Sequence, residues 1–172
     1  TTQTSGYLVI NASKNPALTG MNIERVAARA VNSAGTSIAN TGETAFVFDS
    51  TKSFDTHGAL NTSTGVFTAP ESGYYSYSAT ILTSSLAYSI GNSVIIRAYK
   101  NSSNILAQFY WIAHTTTAVS AAVNGSDVVF LAKGDTLEFK LATNRAGGAV
   151  TLNANSSLNY ATIAKVNIGG RN

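Results

Sequence analysis

The sequence predicts an all-β sandwich in a single domain, and three observations carry that prediction. Val, Ile, Tyr, Phe and Thr fall in short runs separated by clusters of Gly, Asn, Ser and Asp, which is the spacing of short strands joined by turns. The segment Thr136 to Leu141 alternates strictly, with Leu137, Phe139 and Leu141 set against Glu138 and Lys140, so one face turns to a core and the other to water. Only 11% of the 172 residues are charged, against about 25% in an ordinary soluble domain, while Ser, Thr and Asn make up about a third of the chain. The surface is therefore covered by short uncharged polar side chains.

Taken along the chain, Thr1-Thr2-Gln3-Thr4 opens without an initiator Met, as expected of a processed product or a fragment. Tyr7 to Ile10 reads as a strand or a clasp, and Pro16 interrupts the chain beyond it. Ile23, Val26, Ala27, Ala30 and Val31 recur at helical spacing, and alone they read as a short helix. Gly65 to Ala69 is a strand leading into the turn Pro70-Glu71-Ser72-Gly73, and Tyr74 to Thr83 comes next with Tyr75, Tyr77, Ala79 and Ile81 on one face. Ser93 to Tyr99 and Ile105 to Ala113 pair across the turn Lys100 to Asn104. Val128 to Ala132 is expected to form a hairpin with the alternating strand across Lys133-Gly134-Asp135, and Leu158 to Val166 closes the set. Ile168 to Asn172 reads as a frayed tail.

Several function classes are disfavoured by the same residues. The eleven Lys and Arg are scattered, with a net charge of +3, so the clustered basic stripe of a nucleic-acid binder is missing. No apolar run approaches the ~20 residues of a membrane-spanning helix. The absence of Cys removes disulfides and thiol nucleophiles together. The two histidines, His57 and His114, lie far apart in sequence, with neither a Gly-x-Ser-x-Gly elbow nor a His-Glu-x-x-His pair, so no catalytic residue and no metal ligand is assigned. Asp49, Asp55, Glu71, Asp127 and Asp135 form no Asp-x-Asp-x-Asp loop. Sequons at Asn11, Asn61, Asn101, Asn124 and Asn155 are as many as so much Asn, Ser and Thr produces by chance.

One stretch carries a resemblance. Phe48-Asp49, Phe54-Asp55 and the run Leu60 to Tyr77, with Thr64-Gly65-Val66-Phe67-Thr68-Ala69-Pro70 followed by Gly73-Tyr74-Tyr75-Ser76-Tyr77, resemble the Thr-Gly-x-Phe-x-x-Pro and Gly-x-Tyr-x-Phe motifs of C1q/tumour-necrosis-factor-like domains. Leu131 to Asp135 is similar to that family's Leu-x-x-Gly-Asp turn, and Ser157 to Val166 to its closing strand. The resemblance spans roughly residues 25 to 167 and departs in Tyr77 and Tyr160, where the family has Phe, and in the lack of Cys. It implies a ten-strand jelly-roll sandwich assembling as a homotrimer, of the kind found in trimeric fibre heads of phages and bacterial surface proteins. It also makes Arg25 to Val31 the first strand rather than a helix, since the last strand needs a partner beside it. The expected division is a neck or linker from an upstream stalk over residues 1–22, the head over 23–167 and a tail over 168–172. Some relatives bind calcium near the trimer apex, so calcium is the one cofactor kept open.

The strand Ile105 to Ala113 fits a trimer independently. Ile105, Ala107, Phe109 and Trp111 alternate with Leu106, Tyr110 and Ile112, so both faces are apolar. Leu106, Tyr110, Ile112 and Tyr74 are the expected trimer contacts. Successive antiparallel strands reverse direction, so the long loops Ser84 to Asn92, His114 to Gly125 and Thr143 to Ser156 are expected to crown the end away from the chain termini. The candidate ligand residues of that crown are Tyr88, Asn92, His114, Thr116, Asn124, Asn144, Arg145 and Asn153. Tyr88 either stacks on a sugar face or anchors its own loop, and Arg145 either grips an acidic ligand group or is merely solvated. The expected function is a non-enzymatic, extracellular fibre-tip adhesin on a virion or bacterial surface, recognising a cell-surface glycan or protein without nucleic acid or membrane insertion. The alternative is a structural trimerisation knob that nucleates and caps a stalk.

Overall fold

The computed structural model describes residues 25–49 and 52–166; the expected neck over 1–22 and tail over 168–172 lie outside them. In chain order the strands are β1 (Ala27–Val31), β2 (Ser37–Ile38), β3 (Thr44–Ala45), β4 (Lys52–Asp55), β5 (Leu60–Asn61), β6 (Val66–Thr68), β7 (Gly73–Leu82), β8 (Leu86–Ala87), β9 (Ser93–Lys100), β10 (Asn104–Ile112), β11 (Ala118–Val119), β12 (Ala122–Leu131), β13 (Thr136–Thr143), β14 (Val150–Thr151) and β15 (Tyr160–Val166). They form a jelly-roll sandwich. One sheet runs β12-β7-β15-β1-β4, the other β10-β9-β13-β6-β5 with β3 also on β13, and two short ribbons, β11-β8 and β14-β2, tie loops together.

The inner face of β7 explains why the sheets close. Tyr75, Tyr77, Ala79 and Ile81 point inward at every second position and are fully buried, as the alternation predicts. Across the gap Phe67 of β6 meets the Tyr75 ring edge-on at 5.6 Å, and Phe139 of β13 meets Tyr77 at 5.8 Å. Ring pairs at such separations contribute about 0.5–1.5 kcal/mol each beyond the area they bury. Ile96, Leu137 and Leu141 fill the space around them.

Tertiary context overrides three local readings. The helical spacing at 23–31 loses to pairing, because Ala27 to Val31 lies antiparallel to β15 with Ala28 opposite Ile163 and Ala30 opposite Ala161. The expected hairpin between Val128–Ala132 and β13 does not form. The turn at Lys133 to Asp135 is present, but it carries the chain from one sheet to the other, with β12 pairing β7 and β13 pairing β9. The outer face of β13 is also less wet than its alternation suggests: Glu138 is buried, and the neighbouring Arg97, Tyr99 and Glu43 form a hydrogen-bonded group over this sheet.

The crossing turn is held by one carboxylate. Asp135 takes the Lys100 ammonium at 2.8 Å, the Asn101 amide at 2.9 Å and the backbone N–H of Ala132 at 2.9 Å, so it joins the β9–β10 turn to the β12–β13 turn. Lys100 above all, then Asn101 and Ala132, hold its pKa down from 3.8 to about 2. A carboxylate held low in the folded chain stabilises it above the unfolded pKa, and that contribution disappears as pH falls through the folded value. Asp135→Asn should therefore be less stable than the parent by a constant margin from neutral pH down to about 4, and the margin should shrink toward nothing near pH 2, as read from denaturant unfolding along a pH series. Gly65 sets a second requirement: its φ is +73° and a Cβ there would collide with the Phe46 carbonyl oxygen. Gly65→Ala should cost about 2–4 kcal/mol in the same assay.

Candidate functional site

The sandwich has two unlike ends. At one, the Lys165 N–H bonds the Val26 carbonyl at 2.8 Å, so the first and last described strands start and finish together, beside the Lys165–Glu71 ion pair and the short turns. At the other, the long loops cross-brace. Ser84 N–H bonds Thr151 O, Thr83 N–H bonds Ala121 O, and Leu152 N–H bonds Thr36 O, so the segment after β1 joins the three expected loops.

Tyr88, Asn92, Asn144 and Arg145 converge there, and their polar atoms face the protein's own backbone. Ser89 to Asn92 closes as a turn with the Asn92 N–H on Ser89 O at 2.9 Å, and Gly91 at φ +86° fits the third position of a type II turn. The Asn92 side-chain oxygen accepts the Ser89 N–H at 2.8 Å. Gly91 N–H and Asn92 O bond the two sides of the Ala113 peptide, at 2.9 and 2.8 Å. Asn144 accepts from the Ser93 N–H at 2.7 Å and donates to Gly91 O at 3.4 Å. Arg145 donates to the carbonyls of Ala87, Gly147 and Gly148. Tyr88 is only 2% exposed, edge-on to Trp111 at 4.8 Å, with its hydroxyl 3.2 Å from Thr83 Oγ1. Of the two sequence readings of Tyr88, the loop anchor is the one realised, and Arg145 is a brace for its own loop rather than a free cation.

The remaining candidates stand around this group. His114 directly follows Ala113 and is exposed, and Thr116 is exposed before β11. Asn124 lies on the outer face of β12 opposite Thr80, and Asn153 lies beside the end of β7, its N–H on Leu82 O. Sequence reasoning passed over Ile90, which tips the Ser89–Asn92 turn and is 70% exposed, the most of any large apolar side chain described. The signal was available in Ser-Ile-Gly-Asn, an apolar residue in the second position of a turn defined by Gly and Asn. Among the described residues no three His, Asp or Glu side chains are grouped to hold a metal ion. His57 sits beside Thr56 at the end where the chain enters β1, whereas His114 lies at the crown.

A second feature runs along one side. β10 and β12 are the outermost strands of their sheets on the same side of the sandwich, and the Phe109 ring occupies the space that a Cβ on Gly125 would take. Tyr110 and Ile112 from β10, Val128 and Phe130 from β12, and Tyr74 from β7 are all exposed, with Tyr74 and Phe130 edge-on at 5.4 Å. Leu106 is half-buried against the core, and Ile105 is exposed instead. A bulge between Ile105 and Ala107 inserts one residue and swaps the faces that strict alternation assigns them. Below Tyr110, Gln108 links the Tyr110 hydroxyl to Arg97, and Arg97 pairs with Glu43. Burial alone raises the Glu43 pKa, but the Arg97 and Tyr99 hydrogen bonds outweigh it and the carboxyl titrates below its ordinary value.

This architecture, with its two unlike ends and apolar edge, is that of a C1q/tumour-necrosis-factor-like jelly roll. The globular domain of zebrafish complement 1qA superposes with a TM-score of 0.62 at 17% identity, over 84% of this chain and 98% of the other. Murine APRIL gives 0.58 at 13% identity over 83% and 100%, and the Eiger TNF of S. frugiperda 0.57 at 15% over 85% and 95%. No protein-family model and no curated protein matches the sequence. The chain therefore has the C1q/TNF-like fold, as the Thr64-to-Tyr77 motifs imply.

Tyr88→Ala should remove the anchor under the crown and cost about 3–5 kcal/mol of stability, measured by thermal or denaturant unfolding. A ligand-stacking tyrosine on the surface would leave stability nearly unchanged.

Proposed function

We propose that the domain is a non-enzymatic homotrimeric binding head that recognises a cell-surface glycan or protein through its crown, carried outside the cell on a virion fibre or bacterial surface. The observation that supports it best is the exposure of Tyr74, Tyr110, Ile112, Val128 and Phe130 on the strands at and next to the β10–β12 side, large apolar side chains of the kind a contact between chains buries. Tyr110 and Ile112 on β10 form one such surface, and the outer face of the five-stranded sheet, which carries Tyr74, Val128 and Phe130, suits them from a neighbouring copy. Across it Ser126, Ser78 and Thr162 stand in one row and Val128, Ser76 and Ala164 in the next, mostly small side chains that allow close approach. An edge that packs on a different surface of the next copy is a head-to-tail contact, and three such contacts close a ring. The fold shared with a C1q globular domain is consistent with this arrangement. Three crowns on one particle would multiply weak binding by about 10² to 10⁴ where receptors are dense.

The alternative, a trimerisation knob without a ligand, is favoured by one observation: Asn92, Asn144 and Arg145 already bond their own backbone. Light scattering at micromolar concentration should report three times the 17.9 kDa chain mass, and Phe130→Glu should reduce it to one chain. A monomeric parent overturns the trimer. A trimer that binds no glycan array and no cell in a bacterial and animal panel leaves the knob reading in its place.

A further inference from the structure

We propose that Asp127 on the edge of one copy pairs with Arg29 on the outer face of the next, one ion pair at each contact setting the register of the trimer; this rests on the assembly being the head-to-tail ring. The strands β12, β7, β15 and β1 carry only three charged side chains, Asp127, Lys165 and Arg29. Lys165 is paired with Glu71 at 2.8 Å beside the short turns. The other two are opposite in sign. Among the described residues the ion pairs are Arg97–Glu43, Lys100–Asp135, Lys140–Glu138 and Lys165–Glu71, and neither Asp127 nor Arg29 belongs to one. Every other described carboxylate is in such a pair or accepts from more than one donor, as Asp49 does from the N–H and hydroxyl of Ser33 and Asp55 from the N–H groups of Ala59 and Leu60. Asp127 takes the N–H of the next residue, Val128, at 2.7 Å.

Both groups are placed for a partner outside their own chain. Alternation puts Asp127 on the inner side of β12 with Val123, Gly125 and Leu131, yet it is exposed, because β12 is the outermost strand of its sheet. Arg29 lies on the outer face of β1, half-buried, with its guanidinium 4.5 Å from the Tyr160 ring centroid and one nitrogen on Ser53 Oγ at 3.0 Å, which fixes the fork and leaves it further N–H donors. Within one copy the two cannot meet, since β7 and β15 separate their strands by about 14 Å and they face opposite sides of the sheet. Between copies they come level. Arg29 stands opposite Thr162, Thr162 opposite Ser78 and Ser78 opposite Ser126, so one row across the sheet runs from Arg29 to the residue before Asp127. Three copies whose crowns point the same way are related by an axis along the strands, and rotation leaves height along that axis unchanged. The edge that carries Asp127 therefore meets the neighbouring face at the level of Arg29, offset by one residue, about 3.4 Å. A carboxylate and a guanidinium brought together there form charge-assisted bonds, and a copy slipped along the axis loses them.

The test is a charge swap in the whole chain. Asp127→Arg and Arg29→Glu should each raise the concentration at which half the chains are trimeric by about tenfold or more, read by light scattering along a dilution series. The double variant, which restores opposite charges across the contact, should return to within about threefold of the parent. Because the chain has no Cys, Asp127→Cys combined with Arg29→Cys and treated with a short bis-maleimide gives a second reading. It should yield covalent trimers on a denaturing gel, and neither single Cys variant should. Reversals that leave the trimer at parental strength, a double variant no better than the weaker single one, or a Cys pair that links no more than the single variants overturns the proposal and leaves the trimer standing. A monomeric parent overturns both.

Discussion

Two aromatic contacts across the sandwich, Phe67 on Tyr75 and Phe139 on Tyr77, set the spacing on which everything else depends. Both tyrosines belong to β7, which is paired along both sides, by β12 and by β15. A chain with so few charges cannot rely on ion pairs to orient its sheets, so shape in the core must do it. Once these rings interlock, β12 and β10 become outermost on the same side, and Phe109 closes that side by filling the place of the missing Gly125 side chain. The apolar edge and the braced crown are both consequences of how that core is ordered.

The division of labour among polar residues follows from the same composition. Asparagine takes the place that salt bridges occupy in more highly charged proteins. Asn32 donates to Val47 O and accepts from Gly35, buried Asn159 accepts from Leu82 and donates to Asn153 and Asn155, and Asn144 and Asn92 fasten the loop between β8 and β9. An amide offers a donor and an acceptor at once, so one side chain satisfies two backbone groups of opposite kind. Such bonds carry no net charge and are little affected by salt. The charged clusters that do exist, around Asp135 and around Glu43 and Arg97, join the turns and strands of the sheets and lie away from the crown.

How much of this was legible depended on whether the signal was local. Thr64 to Tyr77 carried the fold, because a glycine with positive φ, a proline turn and alternating aromatics each have a local cause. The alternation in Leu137 to Leu141 found a strand but not its partner. Whether a tight Gly-Asp turn returns within one sheet or crosses to the other is decided by what lies across the gap, which no single segment records. The bulge at Leu106 shows a second limit, since one inserted residue exchanges inward and outward faces without altering composition. At the crown, residue type suggested hydrogen-bonding capacity correctly, but direction was hidden. The polar character of Asn92, Asn144 and Arg145 is legible, but not the backbone groups they bond, which for Asn144 with Ser93 and Arg145 with Ala87 are more than 50 residues away.

The bracing at the crown is addressed to main-chain atoms: Asn92 to the Ser89 N–H, Asn144 to Ser93 N–H and Gly91 O, Arg145 to three carbonyls. A strut that grips the backbone is indifferent to the side chain mounted on it. The residue at position 90 can therefore be exchanged without retuning the turn that displays it, and the supports and the displayed group can drift independently. A substitution at that tip leaves the hydrogen bonds beneath it in place.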